Sequence, residues 1–142
     1  MFMNSEAIKR IKRFEIPAMN KTFPQFQLSK GDGSFDFIPN GAIFWQGKLM
    51  TNFGTAYNVA IVYPENYPHD QIYAYVKELI GVSTPHRYLD GHLCLYSNDH
   101  GGGGEGIGRE TTAVTITAWT ATWLNAYEVY KRTGNWGIKT GR

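Results

Sequence analysis

Apolar residues recur with a helical period at the start of the chain and with a period of two from about residue 24 to residue 80. Within SEAIKRIKRF, Ala7, Ile8, Ile11 and Phe14 line one side of a helix, and Lys9, Arg10, Lys12 and Arg13 line the other. Asn4 or Ser5 can cap its start. Pro17, which has no N–H to donate, is expected to stop it. Such a basic face is usually just solvated, and a docking surface for an acidic partner is the sharper alternative.

The period-two region breaks into four short runs. FQLSKGDGSF carries a Gly-Asp-Gly turn, AIFWQGKLMT reads as a strand with Gly47 near a bulge, YNVAIVYP alternates, and IYAYVKEL follows. Short turn-like links with no helical crossover predict an antiparallel meander. In YPENYP, Pro64 and Pro68 are expected to end the third strand and force an extended loop. Helical spacing returns near the end, where Thr111 or Thr112 caps a helix running to about Thr133 and stopped by Gly134. Ile116, Trp119, Trp123, Leu124 and Tyr127 give it an apolar face that would cover the sheet. The fold class is α+β, with an N-terminal helix, a four-stranded meander, an irregular segment and a C-terminal helix. A single domain over 1–142, with its core at about 5–133, accommodates these elements.

Composition narrows the function classes. A formal charge of +2 is too small to argue for nucleic acid or membrane as the main partner. No stretch approaches the roughly 20 apolar residues of a membrane span, and the N-terminal charges lie within the apolar pattern, unlike a secretory signal. The lone cysteine, Cys94, excludes an internal disulfide framework and fits a reducing cytoplasm.

Cys94 lies in PHRYLDGHLCLYSNDHGGGGEG, residues 85 to 106, and three readings are open for it. As an inert residue it would simply be buried, as free cysteines often are. In an extended segment, however, Leu93 and Leu95 share one face, which turns His92, Cys94 and Tyr96 to the other. As a metal ligand it would join His86, His92 and His100, a spacing without the tight pair of a structural zinc site, so no metal is assigned. As a nucleophile it needs a group to lower its pKa or take its proton, and His92, His86 or His100 could reach it. The glycines at 101, 103 and 106 match G-x-G-x-x-G, but too few residues follow for a dinucleotide fold, so no cofactor is assigned. A mobile loop beside Cys94 is the simpler reading of that run.

The element order, Trp45 and Gly47 in the second strand, YPENYP at 63 to 68, PHRYLDGHLCL at 85 to 95 and the Trp-rich last helix together resemble the ubiquitin-conjugating enzyme (UBC-like) family. The pattern P-H-x-x-x-x-G-x-L-C-L-Y is more similar to its bacterial antiphage members, including those of cyclic-oligonucleotide-based antiphage signalling systems (CBASS). The resemblance implies that Cys94 carries the C-terminal glycine of a protein partner as a thioester and passes it to an amine. That partner would be a cGAS-like nucleotidyltransferase or a ubiquitin-like modifier, with or without a separate activating enzyme. Where the family has the asparagine of His-Pro-Asn, eight residues before the cysteine, this chain has His86 after Thr84 and Pro85. An imidazole N–H can donate the same hydrogen bond to an oxyanion. His92, Asp99 and His100 are secondary candidates for proton transfer, chosen because they are near and ionisable. The glycine run and the absence of the usual tryptophan shortly after the cysteine are departures from the typical eukaryotic pattern. A catalytically silent UBC-like binding module is the rival reading.

Overall fold

The computed structural model describes residues 3–88, 90–95 and 111–136. Within them lie α1 (Ser5–Arg10), a π-helical stretch Ile11–Glu15, α2 (Ile16–Thr22), four strands, a 3₁₀ turn Lys77–Leu79, and α3 (Ala113–Thr133). The strands β1 (Gln27–Lys30), β2 (Ile43–Met50), β3 (Ala56–Val62) and β4 (Tyr73–Val76) form one antiparallel sheet in sequence order. This is the expected α+β layout of a UBC-like fold.

Asn4 caps α1 by accepting from the Ala7 N–H at 2.8 Å. Pro17 does not end the helix, contrary to the sequence expectation. It sits in the first turn of α2, and just before it the backbone widens so that the Ile16 N–H bonds the Ile11 carbonyl five residues back. That widening accommodates a proline that removes the Arg13 carbonyl's i+4 donor and would crowd that carbonyl. It also resets the buried face. Ala7, Ile11, Glu15 and Met19 all point inward at intervals of four, whereas Ile8 and Phe14 are exposed, against expectation. A regular helix drifts about 40° over each four residues, and the wider turn takes back part of that drift.

The sheet is regular. Trp45 pairs with Ile61 and Gly47 with Val59 in an unbroken register, so the expected bulge at Gly47 does not occur. Glycine is needed there because a Cβ would lie 2.7 Å from the Phe26 ring. After Val62 the chain makes turns through YPENYP instead of an extended loop, with a cis Tyr67–Pro68 bond. Alternation divides the side chains between two faces. Trp45, Tyr57, Val59, Ile61, Ala74 and Val76 join the helices in the larger core cluster. Phe44, Ala60, Val62 and Tyr75 meet Ile38 and Ala42 on the other face, with Phe35 and Phe37 packed on them.

α3 starts and stops where the sequence placed its signals: Thr112 and Thr115 form a reciprocal cap, and Gly134 ends the helix at φ 79°. Ile116, Trp123, Leu124 and Tyr127 are buried and Trp119 packs partly against the core. A buried carboxylate ties this helix to the first. Glu15, 1% exposed, accepts from Tyr63 Oη and from the Ala113 N–H, both at 2.8 Å, and from the Tyr67 hydroxyl. Trp45 Nε1 donates to Tyr63 Oη at 2.9 Å, and Arg10 Nε donates to Tyr67 Oη at 3.1 Å. An acceptor at the N-terminus of a 21-residue helix satisfies an otherwise orphaned N–H and favours the helix dipole.

Candidate functional site

The segment holding Cys94 is a short hairpin. The Gly91 N–H donates to the Tyr88 carbonyl at 2.9 Å, and the Tyr88 N–H donates to the His92 carbonyl at 2.9 Å. Arg87 and Leu93 form an isolated antiparallel bridge, and the Cys94 N–H donates to the His86 carbonyl at 3.0 Å. Gly91 supplies the reversal with φ +100°, a conformation that L side chains rarely adopt. The hairpin is held at two places. The Leu93 N–H donates to the Ala74 carbonyl of β4 at 3.0 Å. The Arg87 guanidinium donates to the carbonyls of Leu79 and Val82, and burial pulls its pKa below the ordinary arginine range.

Leu93 and Leu95 both enter the larger core cluster, while Cys94 belongs to neither cluster, as alternation predicts. Cys94 is nonetheless only 6% exposed, so turning away from the leucines does not bring it into open solvent. Because hairpin partners sum to 180, residue 86 falls opposite residue 94, which gives the eight-residue spacing a structural cause.

His86 is the one non-glycine with positive φ among the described residues, at 58°. For a residue with a Cβ this region is strained by about 1–2 kcal/mol, so neighbouring contacts must hold it there. Its carbonyl accepts twice, from the Cys94 N–H and from Trp123 Nε1 at 3.1 Å. Its ring meets Trp136 edge to face at 4.6 Å, and Trp136 in turn lies 5.1 Å from Trp123. Among the described residues, the two buried side-chain polar atoms without a hydrogen-bond partner are Thr84 Oγ1 and Trp136 Nε1. Both belong to this neighbourhood, one two residues before His86 and one on the residue packed against its ring. Unsatisfied buried groups are rare in folded proteins, and here two of them accompany a residue with a strained backbone.

The structure gives His92 a different setting from the one expected. Its ring is stacked between Tyr73 at 3.9 Å and Tyr88 at 4.2 Å, and its Nδ1 lies 2.5 Å from Asp90 Oδ1. Asp90 also accepts from the His92 N–H at 3.0 Å. Neither the tyrosine sandwich nor Asp90 was legible as a partner of this ring. The stack lines a groove of about 740 Å³ with Tyr75, Glu65 and Asp70. Burial first, then the Asp90 charge, raises the Tyr75 phenol above its ordinary pKa. Asp99, His100 and the glycine run at 101–108 lie outside the described residues. Among the described residues no three His, Cys, Asp or Glu side chains are grouped to hold a metal ion. No helix among them is long and apolar enough to cross a membrane.

Comparison with protein families gives a match over residues 15–141 to E2-CBASS, the type II CBASS E2 protein. The chain belongs to the E2-CBASS family. Neither the curated proteins nor the solved structures gave a match. Family membership connects the protein to type II CBASS antiphage defence in bacteria. It also makes the hairpin from 86 to 94 the segment of an E2-like protein that holds its one cysteine.

Proposed function

We propose that this E2-CBASS protein is an acyl-carrying transferase with Cys94 as its nucleophile. Its donor is an activated acyl group, the C-terminal glycine of a cGAS-like nucleotidyltransferase or of a ubiquitin-like modifier. The Cys94 thiolate attacks that carbonyl, a C–S bond forms, and the donor's leaving group departs with the electron pair. An amine then attacks the thioester. A C–N bond forms, the C–S bond breaks, and the amine's proton goes to a nearby base while the Cys94 thiolate is released. The His86 imidazole N–H is the proposed donor to the tetrahedral oxyanion, and His92, Asp99 and His100 are secondary candidates for the proton.

The observation that supports this reading most is the pairing of Cys94 with a left-handed His86 in a chain that belongs to the E2-CBASS family. Mixing the protein with its candidate partner, and with an activating enzyme where one is needed, should give a thiol-sensitive adduct on non-reducing gels. The reading fails if no adduct forms, or if the adduct survives Cys94→Ala unchanged.

One observation favours a second reading, a silent binding module: the thiol-bearing residue is 6% exposed. That reading expects Cys94→Ala to retain antiphage activity and charge reversal at Lys9, Lys12 and Arg13 to abolish it.

A further inference from the structure

We infer that Trp123 of α3 is a positioning residue for Cys94, acting through the main chain of His86. The proposal rests on the reading of Cys94 as the reactive group, and it adds a residue twenty-nine positions away that no motif of the cysteine segment contains. Three observations carry it. The Trp123 indole N–H donates to the His86 carbonyl at 3.1 Å, and the same carbonyl accepts from the Cys94 N–H at 3.0 Å. Trp123 is itself immobile, being 1% exposed, stacked on Tyr127 at 5.7 Å and edge-on to Trp136 at 5.1 Å. His86 has φ 58°, which a histidine holds only when its surroundings fix it.

The physical chain is short. A buried indole N–H fixes where the His86 carbonyl points, and with it the left-handed backbone that brings this carbonyl to the Cys94 N–H. Trp136 packs edge to face against the His86 ring. If the indole N–H is removed, one of two donors is lost and a left-handed histidine has a cheaper conformation to relax into. The 86/94 pair then opens, and the thiol moves relative to the His86 ring. α3 therefore sets the geometry of the cysteine, in addition to covering the sheet.

The test uses Trp123→Phe, which keeps an aromatic ring and deletes the N–H, in wild-type and His86→Gly backgrounds. Glycine takes the left-handed conformation without strain, so it should not need the indole. Alkylation of Cys94 by iodoacetamide across pH is read first, because it requires no acyl donor. Trp123→Phe should raise the rate at least threefold and shift the pH profile, and the same change in the His86→Gly background should alter neither. Equal effects in both backgrounds would mean that Trp123 acts only on global stability, and the proposal would be overturned. An unchanged profile in the wild-type background would overturn it as well. If Trp123→Phe does not fold, benzothienylalanine at position 123 keeps the shape and deletes only the N–H, with the same expectations. Thioester formation is measured separately. Its absence in the wild type, together with background-dependent alkylation, would sink the acyl-transfer reading and leave the positioning role standing.

Discussion

The Cys94 N–H donates to the His86 carbonyl across a hairpin, and Trp123 Nε1 donates to the same oxygen. One carbonyl thus joins the cysteine segment to the last helix. If Cys94 is the acyl carrier, Cys94→Ser should convert the thiol-sensitive adduct into an oxyester. Electrophoresis with and without reductant should show a band that survives thiol and is cleaved by mild alkali.

The left-handed backbone of His86 separates two substitutions that both remove the imidazole. His86→Gly relieves the strain and His86→Ala keeps it, so the glycine variant should be the more stable by about 1 kcal/mol. Denaturant midpoints at unchanged slope measure the difference. If the ring is the oxyanion donor, both variants should lose thioester formation to a similar extent despite that gap.

Glu15 serves three donors from two other segments of the chain. Glu15→Ala would strand two buried tyrosine hydroxyls and the Ala113 N–H. A cost of about 3–5 kcal/mol is expected, near the total stability of many domains, so little folded protein should be recovered. Glu15→Gln retains one acceptor oxygen and should recover part of the loss. Thermal unfolding of the two variants side by side checks the order.

A second buried carboxylate gives a pH signature. Burial pushes the Glu128 pKa up, but hydrogen bonds from Arg132 and Tyr57, the Lys131 charge and the Thr55 hydroxyl outweigh it and hold the group at about 2. A folded pKa below the unfolded value means stability that is fully present above about pH 4.5 and is lost as pH falls towards 2. The contribution is on the order of 3 kcal/mol. Stability measured from pH 6 down to 2 should therefore fall less steeply in Glu128→Gln than in the wild type.

Gly91 and Gly47 should both resist substitution, for different reasons. Gly91→Ala meets a φ of +100° and a Cβ 3.0 Å from Ile80 Cδ1, so it should loosen the hairpin and expose Cys94 to alkylation. Gly47→Ala would push on the Phe26 ring, which is not part of the cysteine hairpin, so it should lower the melting temperature without changing alkylation kinetics below it.

Much of the frame was legible because its signals are local. Period-two runs found the four strands, and Asn4, Thr112 and Gly134 marked helix ends through backbone chemistry that any neighbourhood preserves. What escaped depends on residues distant in sequence. The helix continues through Pro17 because a wider turn accommodates the ring, and no spacing rule shows that. Thr117, Thr120 and Glu128 are buried although polar. The two threonines satisfy their hydroxyls on carbonyls four residues back, and Glu128 gathers partners from β3 and its own helix. The second core face depends on residues 35–42 folding over the sheet. At the cysteine, alternation correctly separated Cys94 from the leucines but gave no hint of its burial. Trp123 looked like a core residue, and it is one; its second role lies in a single N–H.

The hairpin register also bears on how such a segment can vary. Pairing of 86 with 94 and 88 with 92 works as a ruler. Losing or gaining one residue between them would set a different backbone group against the His86 carbonyl and turn alternate side chains to the opposite face. Between these two positions, Gly91 apart, the chain can drift in composition more readily than in length.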